Sequence, residues 1–161
     1  MPNLELDILG EVPAELDVAP TRRVFLALVA ELPALAPAMV AVGGVINLAL
    51  VDDERVRQLN RDQAGHDYAT DVLSFSYVED GGEPIDGVVG EMVISLETAA
   101  RQAAQAGTSL AEEVALLALH GVLHILGYDH QGEAGQIAMQ EVQRRLMSQV
   151  GYSYREFVWQ D

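Results

Sequence analysis

Polar and apolar positions alternate along NLELDIL (3–9) and DVLSFSYV (71–78), the period of a strand with one buried face. VINLALV (45–51), after the Gly43-Gly44 break, and VVGEMVIS (88–95) are apolar stretches with β-branched residues and also read as strands. RRVFLALVAEL (22–32) repeats its apolar residues at helical spacing instead. Asp52 is placed to cap a short helix, DERVRQLN, after which RDQAGHDYA reads as a polar loop. The turn-forming stretch EDGGEPIDG joins 71–78 to 88–95 as a hairpin. Beyond it the period becomes helical. Ser95 caps LETAARQAAQ, which Gly107 ends; Ser109, followed three residues later by Glu112, makes a capping box for a long helix through LLALHGVLHILGY. A last amphipathic helix runs from about Glu133 to Val150. No repeat or linker interrupts this order. The pattern predicts a single α+β domain over residues 1–161, a small mixed sheet with helices packed on it, the helix of His120 and His124 being the central, buried one.

Composition narrows the class. With 161 residues, half of them apolar, the chain can bury a sizeable core without disulfides, and it has no cysteine. That excludes thiolate metal sites, leaves His, Asp and Glu as the strong ligands, and fits a reducing cytoplasm. The amino terminus lacks the basic start and apolar core of a signal peptide, and prolines (Pro33, Pro37), glycines or histidines interrupt the longest apolar stretches. A cytoplasmic protein with no membrane partner is expected. The net charge of −16, with nine arginines and no lysine, argues against gripping a polyanion through the overall field. Local arginine clusters such as Arg55, Arg57 and Arg61 are what remains for that.

Three of the four histidines fall in HGVLHILGYDH: His120, His124 and His130. Histidines four apart project from one helix face, and Gly127 stands where the helix must stop for the chain to bring His130 back toward them. Two further histidines at such fixed offsets are expected by chance on the order of a few times in a thousand. Buried side by side without a metal or other partner, two imidazoles would cost about 1–3 kcal/mol each in unmet hydrogen bonding. Three neutral imidazoles suit one Zn2+ ion, or another divalent transition metal, and leave a position open for water. Asp129 is expected to form the turn or hydrogen-bond a ligand imidazole rather than bind metal.

The spacing is that of the metzincin proteases, HExxHxxGxxH, but Gly121 stands where those enzymes carry their general-base glutamate. Losing that carboxylate removes a contribution of about 10²–10⁴-fold, which disfavours peptide hydrolysis by that route. Phosphodiester cleavage depends less on such a base.

Taken together, HGVLHILGYDH, the upstream LNRDQAGHDYATDVLSFSY and the strand VVGEMVIS resemble the YbeY family of bacterial metal-dependent endoribonucleases. The resemblance runs from about Val45 onward. It implies a YbeY-like hydrolase domain in which His120, His124 and His130 bind zinc and Asp71 to Phe75 wall the substrate cleft. The substrate would be single-stranded ribosomal RNA on or near the small ribosomal subunit, in maturation of the 16S 3′ end and in ribosome quality control. Ribosomal or assembly proteins would be further partners. Two family positions depart: the tyrosine and arginine expected after Asn60 fall at Gln63 and Ala64. Ala69 and Ser76 replace prolines, and Glu91 stands where aspartate is common. Arg61 is the candidate to supply the missing phosphate contact.

Arg61, Thr70, Asp71 and Ser74 are therefore the candidate cleft residues beside a metal-bound water. Thr70 and Asp71 can equally cap or turn the chain, Ser74 and Ser76 share a strand face if the alternation holds, and Glu91 either bonds a ligand histidine or lies exposed. His66 is expected to be a solvated loop residue. Two other functions stay open: a ribosome-assembly or interaction protein in which the metal is mainly architectural, and hydrolysis of another small substrate.

Overall fold

A computed structural model describes residues 4–37, 43–67, 70–128 and 132–154. The strands are β1 (Leu4–Leu9), β2 (Gly44–Val51), β3 (Val72–Ser76) and β4 (Val88–Ser95). They form one mixed sheet in the order β1-β2-β4-β3, with β1 parallel to β2, β2 parallel to β4 and β3 antiparallel to β4. The expected hairpin is therefore present, and it places β3 at the edge of the sheet.

The helices are α1 (Ala19–Ala30), α2 (Leu32–Leu35), α3 (Asp53–Leu59), α4 (Leu96–Ala106), α5 (Leu110–Ile125) and α6 (Glu133–Gln149). The α+β class follows as expected. Helix α1 begins three residues before the apolar period suggested, because Pro20 sits in its first turn, where a missing N–H costs nothing. The predicted caps of α3 and α4 are made: the Asp52 carboxylate accepts from the Arg55 N–H at 2.8 Å and the Ser95 hydroxyl from the Thr98 N–H at 3.1 Å. At α5 half of the capping box forms. The Ser109 hydroxyl accepts from the Glu112 N–H and donates to the Glu112 carboxylate, both at 3.1 Å, so the carboxylate bonds the cap side chain rather than its backbone.

One expectation is corrected. The stretch beginning RDQA is not simply a loop, because a wide π-type turn (Asn60–Ala64) continues α3 until Gly65, at φ +77°, ends it. Asn60 is buried, nothing before Gly65 breaks the helix, and the turn moves these residues onto the helix flank.

Helix α5 is buried from Glu113 to Leu123 and packs on β3 and β4 and against α1, α4 and α6. Two glycines set its closeness to the sheet. A Cβ at Gly90 would lie 2.7 Å from the Ile125 Cγ2 and 2.8 Å from the Phe75 carbonyl oxygen; one at Gly121 would lie 2.6 Å from the Met92 sulfur. The side chains of Ile46, Leu48, Met92 and Ile94 fill this face of the sheet with the core. Their neighbours Asn47, Ala49, Glu91 and Val93 line an open hollow with Phe75 and Tyr77, as the strand period requires. No single helix among the described residues is long and apolar enough to cross a membrane.

Candidate metal centre and sheet hollow

His120 and His124 lie one turn apart on α5, with their Nε2 atoms 3.1 Å from each other and their rings nearly perpendicular at 80°. His120 is buried and His124 half-buried. The His120 Nδ1 lies 2.8 Å from Oε1 of Gln143, a fully buried residue of α6. A carboxamide oxygen can only accept, so Nδ1 carries the hydrogen and the Nε2 of a neutral His120 presents its lone pair toward His124. The Gln143 amide nitrogen in turn donates to the Tyr154 hydroxyl at 3.3 Å. Two corners of a tetrahedral zinc site stand about 3.3 Å apart for bonds of about 2.0–2.1 Å, so this pair fits such an ion.

The helix ends as Gly127 suggested. Gly127, at φ +103°, donates its N–H to the His124 carbonyl at 3.0 Å, and Tyr128 donates to the Leu123 carbonyl at 2.9 Å, the paired bonds of a Schellman stop. The Ser76 hydroxyl of β3 donates to the Ile125 carbonyl at 2.9 Å, satisfying another terminal acceptor. The chain thus turns directly after the second histidine. The third expected ligand, His130, and its neighbour Asp129 lie outside the described residues. Among the described residues, no third His, Asp or Glu joins the pair.

Gly121 has a structural reason. Its missing side chain points at Met92 and Val72, not toward the imidazoles, so a glutamate there would run into the sheet.

The remaining candidates separate. Asp71 is buried, and its carboxylate accepts from the Val72 N–H at 2.8 Å and from the Gln102 amide at 3.1 Å, fastening the start of β3 to α4. The half-buried Thr70 donates to the same carboxylate at 3.4 Å, which is the turn-forming alternative. Ser74 is half-buried on the β3 face it shares with Ser76. Arg61 is exposed, bonds Asp62 at 3.2 Å and does not line the hollow, whereas Gln63, two residues on, does. His66 is exposed, as expected.

Of the two roles left open for Glu91, beside a ligand histidine or exposed on the strand, it takes neither. Gly90 and Met92 face α5, so Glu91 between them faces the hollow on the other side of the sheet. There its carboxylate accepts from the Tyr77 hydroxyl at 2.5 Å. That bond, with burial and the carboxylate's charge, pushes the Tyr77 hydroxyl up to about 12. Sequence reading also passed over Gln143. Its signal was its spacing, since it falls among Met139, Val142, Leu146 and Met147 on the apolar face of α6.

The family model of the Endoribonuclease YbeY matches residues 17–151. The chain belongs to the YbeY family. A YbeY endoribonuclease of Moorella thermoacetica is 46% identical over 113 residues, 66% of this chain and 72% of that one. That of Bacillus licheniformis is 36% identical over 121 residues, covering 71% and 77%. For Thermus thermophilus YbeY the figures are 45% over 103 residues, 64% and 74%. A Thermotoga maritima protein known from its solution structure shares the fold, with a TM-score of 0.52 and 20% identity over 90% of this chain and 91% of that one. In this member of the family the two histidines of α5 stand at a separation that a single metal ion could bridge.

Proposed function

We infer that the chain is a zinc-dependent endoribonuclease that cuts single-stranded ribosomal RNA in the cytoplasm, in maturation of the small-subunit RNA and in ribosome quality control. The endoribonuclease activity follows the family. The observation that supports the metal is the pair of Nε2 atoms 3.1 Å apart, one of them oriented by Gln143. His120, His124 and His130 are the residues that would hold the ion, and the histidine-rich, thiolate-free donor set suits Zn2+. Bound there, zinc would supply a water acidic enough to ionise near neutrality and a positive centre for a phosphoryl oxygen.

The chain's own residues do the rest. Gln143 keeps the hydrogen of His120 on Nδ1 and so keeps Nε2 basic. Gly121 lets α5 lie against the sheet, which fixes how far the imidazoles stand from β3. Asp71 and Ser76 anchor the two ends of β3, the edge strand, so the wall beside the histidines is rigid. Gly121 occupies the sequence position of the protease base, and a reaction in which the RNA 2′-hydroxyl or the metal-activated water attacks phosphorus depends less on such a carboxylate.

The test is cleavage of a single-stranded ribosomal RNA fragment by zinc-loaded protein, beside His124→Ala purified identically. Cleavage that disappears in the variant supports the reading. A folded, zinc-loaded protein that cuts nothing overturns it, in favour of an assembly factor whose metal is architectural, as unfolding on chelation would then show.

A further inference from the structure

The hollow on the open side of the sheet encloses about 470 Å³, the scale of a small-ligand site. The histidines lie behind the sheet, on the helix that packs against its other face. Three residues line up across the hollow floor by strand register. Asn47 of β2 is paired with Glu91 of β4, and Glu91 with Phe75 of β3. This row sets an amide, a carboxylate and an aromatic ring side by side. Tyr77, two residues beyond Phe75 on the same face, donates to one oxygen of the Glu91 carboxylate, which leaves the second lone pair of that oxygen and the whole of the other oxygen to accept two donors from a ligand.

At the rim stands Arg55, exposed on α3. The other described arginines are engaged. Arg57, Arg61, Arg101 and Arg145 form ion pairs, Arg22 and Arg23 hydrogen bonds, and Arg144 lies over the Tyr154 ring. Among the described residues nothing pairs with the Arg55 guanidinium. In a chain of net charge −16, an arginine without a carboxylate partner on the lip of a pocket is the feature that points to an anionic ligand.

We propose that this hollow is a guanosine-binding subsite, in which a guanine rests against Phe75, presents its N1–H and N2–H groups to Glu91 and its O6 to the Asn47 amide, while Arg55 takes the adjoining phosphate. Guanine is selected because it alone among the four RNA bases sets two neighbouring N–H donors beside an acceptor, the complement of a carboxylate next to an amide N–H. Stacking on the ring adds affinity without choosing the base. That the guanosine belongs to an RNA strand rests on the ribonuclease reading, whereas recognition of the nucleotide does not. An RNA bound here passes over the β3 edge to reach the histidines, so the subsite fixes which nucleotide stands at a set distance from the cut.

The experiment is titration of the full chain with guanosine, adenosine, cytidine and uridine 5′-monophosphates, followed by NMR shifts and calorimetry, for wild type, Arg55→Ala and Glu91→Gln. Glu91→Gln keeps an oxygen for the Tyr77 hydroxyl, and Arg55 is exposed, so both variants are expected to fold; circular dichroism checks this. Guanosine monophosphate is expected to bind about tenfold tighter than the uridine nucleotide, with that preference lost in Glu91→Gln and all four weakened about fivefold or more in Arg55→Ala. Equal binding of the four nucleotides, no binding, or guanosine binding that neither substitution changes would overturn the proposal. Guanosine binding as described in a protein that cuts no RNA would uphold the subsite and remove the ribonuclease reading.

Discussion

The two faces of the sheet are built in opposite ways. On the α5 side everything is close: Gly90 and Gly121 admit the helix, and the core closes over His120. The other side is open, and its polar groups come from β2, β4 and α3. The closed face derives its chemistry from local spacing, four residues along one helix and a glycine to stop it. The open face derives its chemistry from register, which joins Asn47 to Glu91 across strands more than forty positions apart in sequence. Local spacing is visible in a sequence, and register is not.

Breaking the closed face should have the largest effect. Gly121→Glu, which restores the protease motif in sequence, is expected to destabilise the fold by about 3 kcal/mol or more, because the side chain would meet Met92 and Val72 and bring a carboxylate into the core. Urea unfolding measures it. A stable Gly121→Glu protein would mean that α5 is not held to the sheet as described.

The next effect is subtler and separates packing from chemistry. Gln143→Leu conserves bulk but removes the acceptor for the His120 Nδ1–H, so zinc affinity should fall about 10–100-fold while stability drops by about 1–3 kcal/mol. Competition with a zinc-binding dye reads the first and thermal unfolding the second. Unchanged zinc affinity would show that Gln143 only fills space.

The smallest effect concerns the junction of α3 and α4. Burial works to raise the Asp53 pKa, but hydrogen bonds from Ser95, Thr98 and Arg101 and the Arg101 charge outweigh it and hold the carboxyl below its ordinary value. A lowered carboxyl pKa gives stability that is present above the ordinary value of 3.8 and is lost as pH falls through the lowered one. Wild type should therefore lose stability more steeply than Asp53→Asn over that acid range, and the two should run parallel near neutrality. Parallel curves throughout would remove Asp53 from the account.

These contrasts explain what could be read beforehand. The strands, the caps at Asp52 and Ser95 and the stop at Gly127 are local devices, so their residues announced them. The π-type turn after Leu59 escaped because RDQA has the polarity of a loop and only the burial of Asn60 makes it helical. The place of Glu91 stayed open between a ligand histidine and an exposed strand position, because only the pairing of β4 with β2 and β3 shows that the strand period turns it into the hollow. Arg61, the candidate for the missing phosphate contact, bonds Asp62 on the exposed flank of the turn, and Arg55 six residues earlier is the arginine on the hollow.

The central claim is that the closed face holds one zinc ion that drives RNA cleavage. It is tested most directly by the initial rate of single-stranded RNA cleavage as the metal-free chain is titrated with zinc. The rate should rise to a plateau at one equivalent. A rate indifferent to zinc, or zinc bound at one equivalent with no cleavage, would contradict the account.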